Sequence, residues 1–84
     1  MSLIAKNVRS IVDHDGAVIL DIEHDAMVTL NSTGAYVWGK LQQGRPIDEI
    51  IGDLAAESDV DLMSVERDVR AFLEELKSNH LIVS

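Results

Sequence analysis

The feature that most constrains this chain is a change of hydrophobic period at Asn31. From Asn7 to Leu30, β-branched residues recur between two short polar turns, which is strand chemistry. Beyond Asn31 the period lengthens to that of a helix, with Ala35, Trp38 and Leu41 on one stripe. A chain divided in this way builds its sheet first and its helices afterwards, which is the pattern of an α+β domain rather than an alternating parallel sheet.

The first part divides into three strands, over Val8–Val12, Ala17–Ile22 and Ala26–Leu30. Asp13-His14-Asp15-Gly16 forms the first turn, where Asp15-Gly16 is expected to supply the positive φ angles of a tight hairpin. Glu23-His24-Asp25 forms the second. In the middle strand Val18, Leu20 and Ile22 share a face opposite Ile19 and Asp21; in the last, Ala26, Val28 and Leu30 lie opposite Met27 and Thr29.

Three helices follow. The first runs over Ser32–Gln42, capped by Asn31 or Ser32 and stopped by Gly44; the second spans Pro46–Glu57 with proline in its first turn and buries Ile47, Ile50, Ile51 and Leu54. The third starts at Met63 or Ser64, where Ser64 is the expected cap, and ends at Asn79, with Val65, Val69, Phe72, Leu73 and Leu76 as its apolar stripe. Leu81-Ile82-Val83 is short and apolar and is expected to pack back on the body. The whole, residues 1–84, reads as a single winged-helix-like domain: a three-stranded antiparallel sheet followed by three helices.

Composition removes several function classes. With 84 residues, of which 46% are hydrophobic, the chain builds one modest core and leaves no room for an enzyme's second lobe. There is no cysteine, so thiolate catalysis and Cys-based metal sites are absent. Acidic residues outnumber basic ones 15 to 7, and the formal charge of −8 repels phosphate backbones and anionic lipid. Met1 to Val8 is not a secretion signal, and no run approaches the roughly 20 apolar residues of a membrane span, so a cytoplasmic protein is expected.

No catalytic or metal constellation emerges. His14 and His24 lie in different turns, and His80 follows the last helix, where it answers the helix dipole. The carboxylates at Asp48-Glu49, Asp59, Asp61 and Glu74-Glu75 stand on polar faces as solvating charge. Nucleophile-elbow, phosphate-loop and dinucleotide motifs are missing, and no cofactor is implied.

Three binding readings remain. A winged helix reads DNA with its last helix, but here Arg67, Arg70 and Lys77 are outnumbered by Glu66, Asp68, Glu74 and Glu75. An edge strand, in contrast, accepts another chain through its backbone. Ala26, Met27, Val28, Thr29 and Leu30 would carry that ladder. The neighbouring flank of the third helix would be the other wall, where Ala71 permits close approach, Arg67, Arg70 and Lys77 attract acidic side chains and Glu74 attracts basic ones. Ordinary solvated helix charges are the plain alternative for these residues. In the third reading the same strand pairs with a second copy, giving a homodimer without a peptide ligand.

The ordered set Leu30-Asn31-x-x-Gly34-Ala35-x-x-Trp38-x-x-Leu41-x-x-Gly44-x-Pro46, Glu49-Ile50-x-x-x-Leu54, Asp68-Val69-x-x-Phe72-Leu73-x-x-Leu76 and Leu81-Ile82 resembles the PqqD family over about Asp15 to Val83. Its relatives are the leader-recognition domains, or RiPP recognition elements, of lasso-peptide, lanthipeptide and radical-SAM systems. The resemblance implies a non-catalytic peptide chaperone: the leader of a ribosomally made precursor adds as a fourth strand beside Ala26–Leu30 and rests against the third helix. It also implies a partner that modifies the precursor, such as a radical-SAM enzyme, a protease or a cyclase. Asp68 matches a recurrent family acid of open role, while Trp38 and Phe72 match core positions. Where PqqD itself has a Cys-Asp-Gly-like run at the end of the first helix, this chain has Gln42-Gln43-Gly44-Arg45, which leaves the pathway open between PQQ synthesis, lasso and related peptides.

Overall fold

The computed structural model describes residues 4–82. Three strands, β1 (Val8–Asp13), β2 (Gly16–Asp21) and β3 (Ala26–Leu30), precede three helices, α1 (Ser32–Gln42), α2 (Ile47–Ser58) and α3 (Leu62–Ser78). The strands form an antiparallel meander in the order β1-β2-β3. This is the expected α+β order. Of the apolar tail, Leu81 and Ile82 are buried, and Val83 lies outside the described residues.

The helix ends follow local chemistry. Asn31 caps α1, its side chain accepting from the Gly34 N–H at 2.8 Å. At the other end Gly44 takes φ +76°, and the bonds from Gly44 N to Leu41 O and from Arg45 N to Lys40 O satisfy the last carbonyls. Pro46 is the residue that precedes α2, one position earlier than expected for it. The cap of α3 is Asp61, not Ser64: its carboxylate accepts from the Ser64 N–H and hydroxyl, both at 3.1 Å. A carboxylate there also faces the positive end of the helix, an advantage Ser64 lacks.

The first hairpin departs from its expected chemistry. Neither Asp15 nor Gly16 has a positive φ. Instead the Asp13 carboxylate accepts from the N–H groups of Asp15 (2.8 Å) and Gly16 (3.0 Å), stabilising the turn from its side chain. Glycine is required at position 16 for space, because a Cβ there would lie 2.4 Å from the Leu30 carbonyl oxygen of β3.

The core lies between one sheet face and the helices. Ile19, Val37, Trp38, Leu41, Ile50, Ile51, Val65, Val69, Leu73, Leu76, Leu81 and Ile82 form it, with Phe72, Val28 and Leu30 packed at its margin. The inward face of β2 is therefore Ala17, Ile19 and Asp21, and the more apolar face, Val18 and Leu20 with Ile22 beyond, points away from the helices. At the chain ends, Ile4 bridges Ile82 and the Ala5 N–H donates to the Leu81 carbonyl.

Candidate functional site

Because β2 is central, β3 has a partner on one side only. The groups it leaves free follow from the ladder. The Ile22 N–H donates to the Asn7 carbonyl, and in the β1–β2 register this makes Arg9–Leu20 and Ile11–Val18 the hydrogen-bonded pairs. The backbone of Ala17, Ile19 and Asp21 must then point the other way, toward Leu30, Val28 and Ala26. Met27 and Thr29 consequently direct their N–H and C=O groups to the open edge. They are two exposed residues with four unclaimed backbone groups between them.

Opposite this edge stands α3, running antiparallel to β3. At one end Gly34 fits between the two elements, since a Cβ on it would lie 3.3 Å from both Leu30 Cβ and Phe72 Cε1. At the other end, His24, just before β3, stacks on His80, just after α3, with ring centroids 5.2 Å apart. The strand and the helix thus approach each other at both ends, and the space between them is the candidate groove.

The stacked pair is anchored below. Asp21 is only 3% exposed, and its carboxylate accepts from the His24 N–H at 3.2 Å and meets His24 Nδ1 at 2.7 Å. Burial pushes the Asp21 carboxyl up, but hydrogen bonds and charge from His24, with a further backbone bond from Glu23, outweigh it and hold the group below the usual carboxylate range. His80 sits at φ 61°, the left-handed position closing α3, with the Leu81 N–H donating to the Leu76 carbonyl.

Beside Phe72, between α1, α2 and α3, lies a cavity of about 410 Å³. Val37, Leu54, Val65, Val69 and Phe72 give it apolar walls, and Asn31, Ser58 and Asp68 are among its polar lining. Asp68 makes no hydrogen bond or ion pair among the described residues, so it is available to a donor entering the cavity. This composition suits an apolar side chain with a polar tip.

The residues expected from sequence fall into two groups. Ala26 to Leu30 form the edge strand as expected. On α3, helical geometry gathers Asp68, Phe72, Glu75 and Asn79 on the groove flank, with Ala71 at its outer margin. Arg67 and Glu74 face outward, and Arg70 and Lys77 stand on the far flank with Glu66. Arg67 and Arg70 line a separate shallow hollow with Glu66 and Met63. Arg70 pairs with Glu66 at 3.4 Å and Lys77 with Glu74 at 3.6 Å, so two of the three cations have neighbouring carboxylates. The α2 contribution, Leu54 and Ser58, had no signal in the sequence. Gly34 had one: a glycine inside a helix costs about 1 kcal/mol against alanine and asks for a packing reason.

The model of the family described as coenzyme PQQ synthesis protein D (PqqD) matches residues 16–82. Two solved structures share the fold. TbiB1 in complex with the TbiA(beta) leader peptide is 33% identical, covers 98% of this chain and 94% of its own, and superposes with a TM-score of 0.90. A lasso peptide synthetase B1 complexed with the leader peptide is 25% identical, covers 96% and 95%, and gives 0.87. No curated protein matches the chain. Among the described residues there is no group of three or more side chains placed to hold a metal ion, and no helix is long and apolar enough to cross a membrane.

Proposed function

The chain belongs to the family of coenzyme PQQ synthesis protein D, and from that membership we propose that it is a non-catalytic chaperone binding the leader of a ribosomally made precursor peptide. Both similar structures hold a leader peptide. The observation that carries the reading is the open edge at Met27 and Thr29 beside an apolar cavity. Strand addition there satisfies four backbone groups at once, and alternate leader side chains turn inward to the groove. One apolar side chain enters the cavity beside Phe72, and its polar tip meets Asp68. Ala71 lets the peptide pass close to α3.

Capture of the leader tethers the rest of the precursor and raises its local concentration for a modifying enzyme, a protease, cyclase or radical-SAM protein. The likeness to a lasso peptide synthetase B1 favours a lasso-type precursor over PQQ synthesis. Arg67, Arg70, Glu74 and Lys77 are reached only by peptide residues crossing the outer surface of the helix. Alanine at each is expected to change leader affinity by less than about threefold.

Proline substitution tests the ladder directly. The Met27 N–H faces the open edge, so Met27→Pro removes a donor to the peptide while sparing the β2 pairing. Val28→Pro breaks that pairing. Isothermal titration with a synthetic leader should show at least a tenfold loss for Met27→Pro, with a cooperative melt retained, whereas Val28→Pro should unfold the sheet. Undiminished affinity in a folded Met27→Pro variant refutes strand addition at this edge.

A further inference from the structure

Histidine is the side chain whose charge ordinarily changes between pH 5 and 8, and the chain has three. His14 lies exposed in the first turn beside Asp15. His24 and His80 meet instead, one from the turn that opens β3 and the other from the residue that closes α3, with their rings 21° from parallel. Asp21, buried in β2, fixes the first ring through its Nδ1 and through the His24 backbone N–H. The His80 ring has no hydrogen bond or ion pair among the described residues, so only the stack holds it. On both sides of the stack a residue other than glycine takes the left-handed conformation, Asp25 at φ 50° and His80 at φ 61°. Such conformations persist only where the surroundings hold them.

Charge decides whether the stack holds. The Asp21 carboxylate balances one imidazolium, so a protonated His24 over a neutral His80 ring is a cation against a π face. A second proton, on His80, finds no carboxylate bonded to that ring and sets two like charges 5.2 Å apart. The other charged groups nearby are Glu23 and Asp25 in the turn, Glu75 and the Lys77–Glu74 pair at the end of α3, and Lys6. Lys6 comes from the segment whose Ala5 bonds Leu81 and whose Asn7 bonds Ile22. All of these are exposed, and none bonds either ring among the described residues.

We propose that Asp21, His24 and His80 form a positioning clasp, which holds the start of β3 against the end of α3 at the separation the leader needs and opens in acid when both rings are charged. This rests on the leader-binding reading above. The clasp acts through the strand, because Met27, which faces the open edge, follows His24 by three residues. With the stack lost, Asp25 and His80 relax out of the left-handed region and the start of β3 loosens. The leader must then order that strand as it binds, and its affinity falls.

Isothermal titration of the full chain with the synthetic leader, any histidine in it replaced by glutamine, tests this between about pH 7.5 and about pH 5.5. Wild-type affinity should fall about fivefold over this range, the effect of two like charges at ring-stacking distance near a surface. In His80→Asn it should change less than about twofold, since asparagine tolerates the left-handed region and takes up no proton there. His14→Gln should follow wild type. Equal slopes in wild type and His80→Asn overturn the clasp, and so does a flat wild-type profile. If His80→Asn lacks a cooperative melt, NMR of the leader-free wild type carries the test. The His24 and His80 ring protons should then titrate together with the amides of Met27 and Asn79, while the His14 ring titrates without moving them. Amides that stay still through the titration overturn the clasp with no leader present. Absence of leader binding at the neutral end refutes the proposed function, and the NMR titration still judges the clasp by itself.

Discussion

Single residues at the mouth of the groove set its dependence on acid. Asp21 holds His24, and His24 stacks on His80, so one buried carboxylate links β2, the second turn and the end of α3. Its folded pKa lies below its unfolded value, so the unfolded chain takes up a proton first as pH falls. The stabilisation is complete above the ordinary carboxylate pKa and is lost as pH falls through the lowered one. Asp21→Asn should therefore be less stable than wild type in urea titrations at pH 7, and the gap should close in acid. His80 gives a second residue-scale test, because a non-glycine residue in the left-handed region costs about 1–2 kcal/mol. His80→Gly should recover part of that while losing the ring stack, leaving stability within about 1 kcal/mol of wild type. His80→Val, β-branched at φ 61°, should lose about 1–3 kcal/mol in the same measurement.

At the level of elements, the end of β3 is set against its neighbours by two glycines that act through space rather than through φ, Gly16 on β2 and Gly34 on α1. In Gly16→Ala the new methyl group meets a backbone carbonyl that cannot rotate aside, and chemical denaturation should show a loss of about 1–3 kcal/mol. Gly34→Ala gains helix propensity but must displace Leu30 and Phe72 by a few tenths of an ångström. Its stability should change by less than about 1 kcal/mol while leader affinity falls several-fold, because those two side chains border the groove. These positions also mark where the sequence was legible. The period change at Asn31, the span of β3 and the stop at Gly44 follow from local spacing, and the structure keeps them. The inward face of β2 does not, because Ile19 and Asp21 are a less apolar pair than Val18 and Leu20, and only the packing of α1 against the sheet decides between them. On α3 the charged residues were conspicuous in sequence, yet the groove flank is Asp68, Phe72 and Glu75. A helix has two flanks beside its apolar stripe, and the sequence does not say which one meets a strand some 40 residues away.

For the molecule as a whole, charge separates peptide from nucleic acid as ligand. A domain of formal charge −8 that binds through backbone pairing and apolar contact should show leader affinity changing by no more than about fivefold between roughly 0.05 and 0.5 M salt. Duplex DNA should not bind even at the lower value. Fluorescence of Trp38, the single tryptophan, fully buried in the core, offers a folding control for each variant. The Ile4–Ile82 bridge has a practical consequence of another kind. Residues 4 and 82 are paired across one bridge, so a short connection between those two points would splice the unit into a surface loop of an unrelated protein without stretching either side. Leader capture would then become a graftable handle, by which a chosen enzyme could be made to recognise a tagged peptide it otherwise ignores.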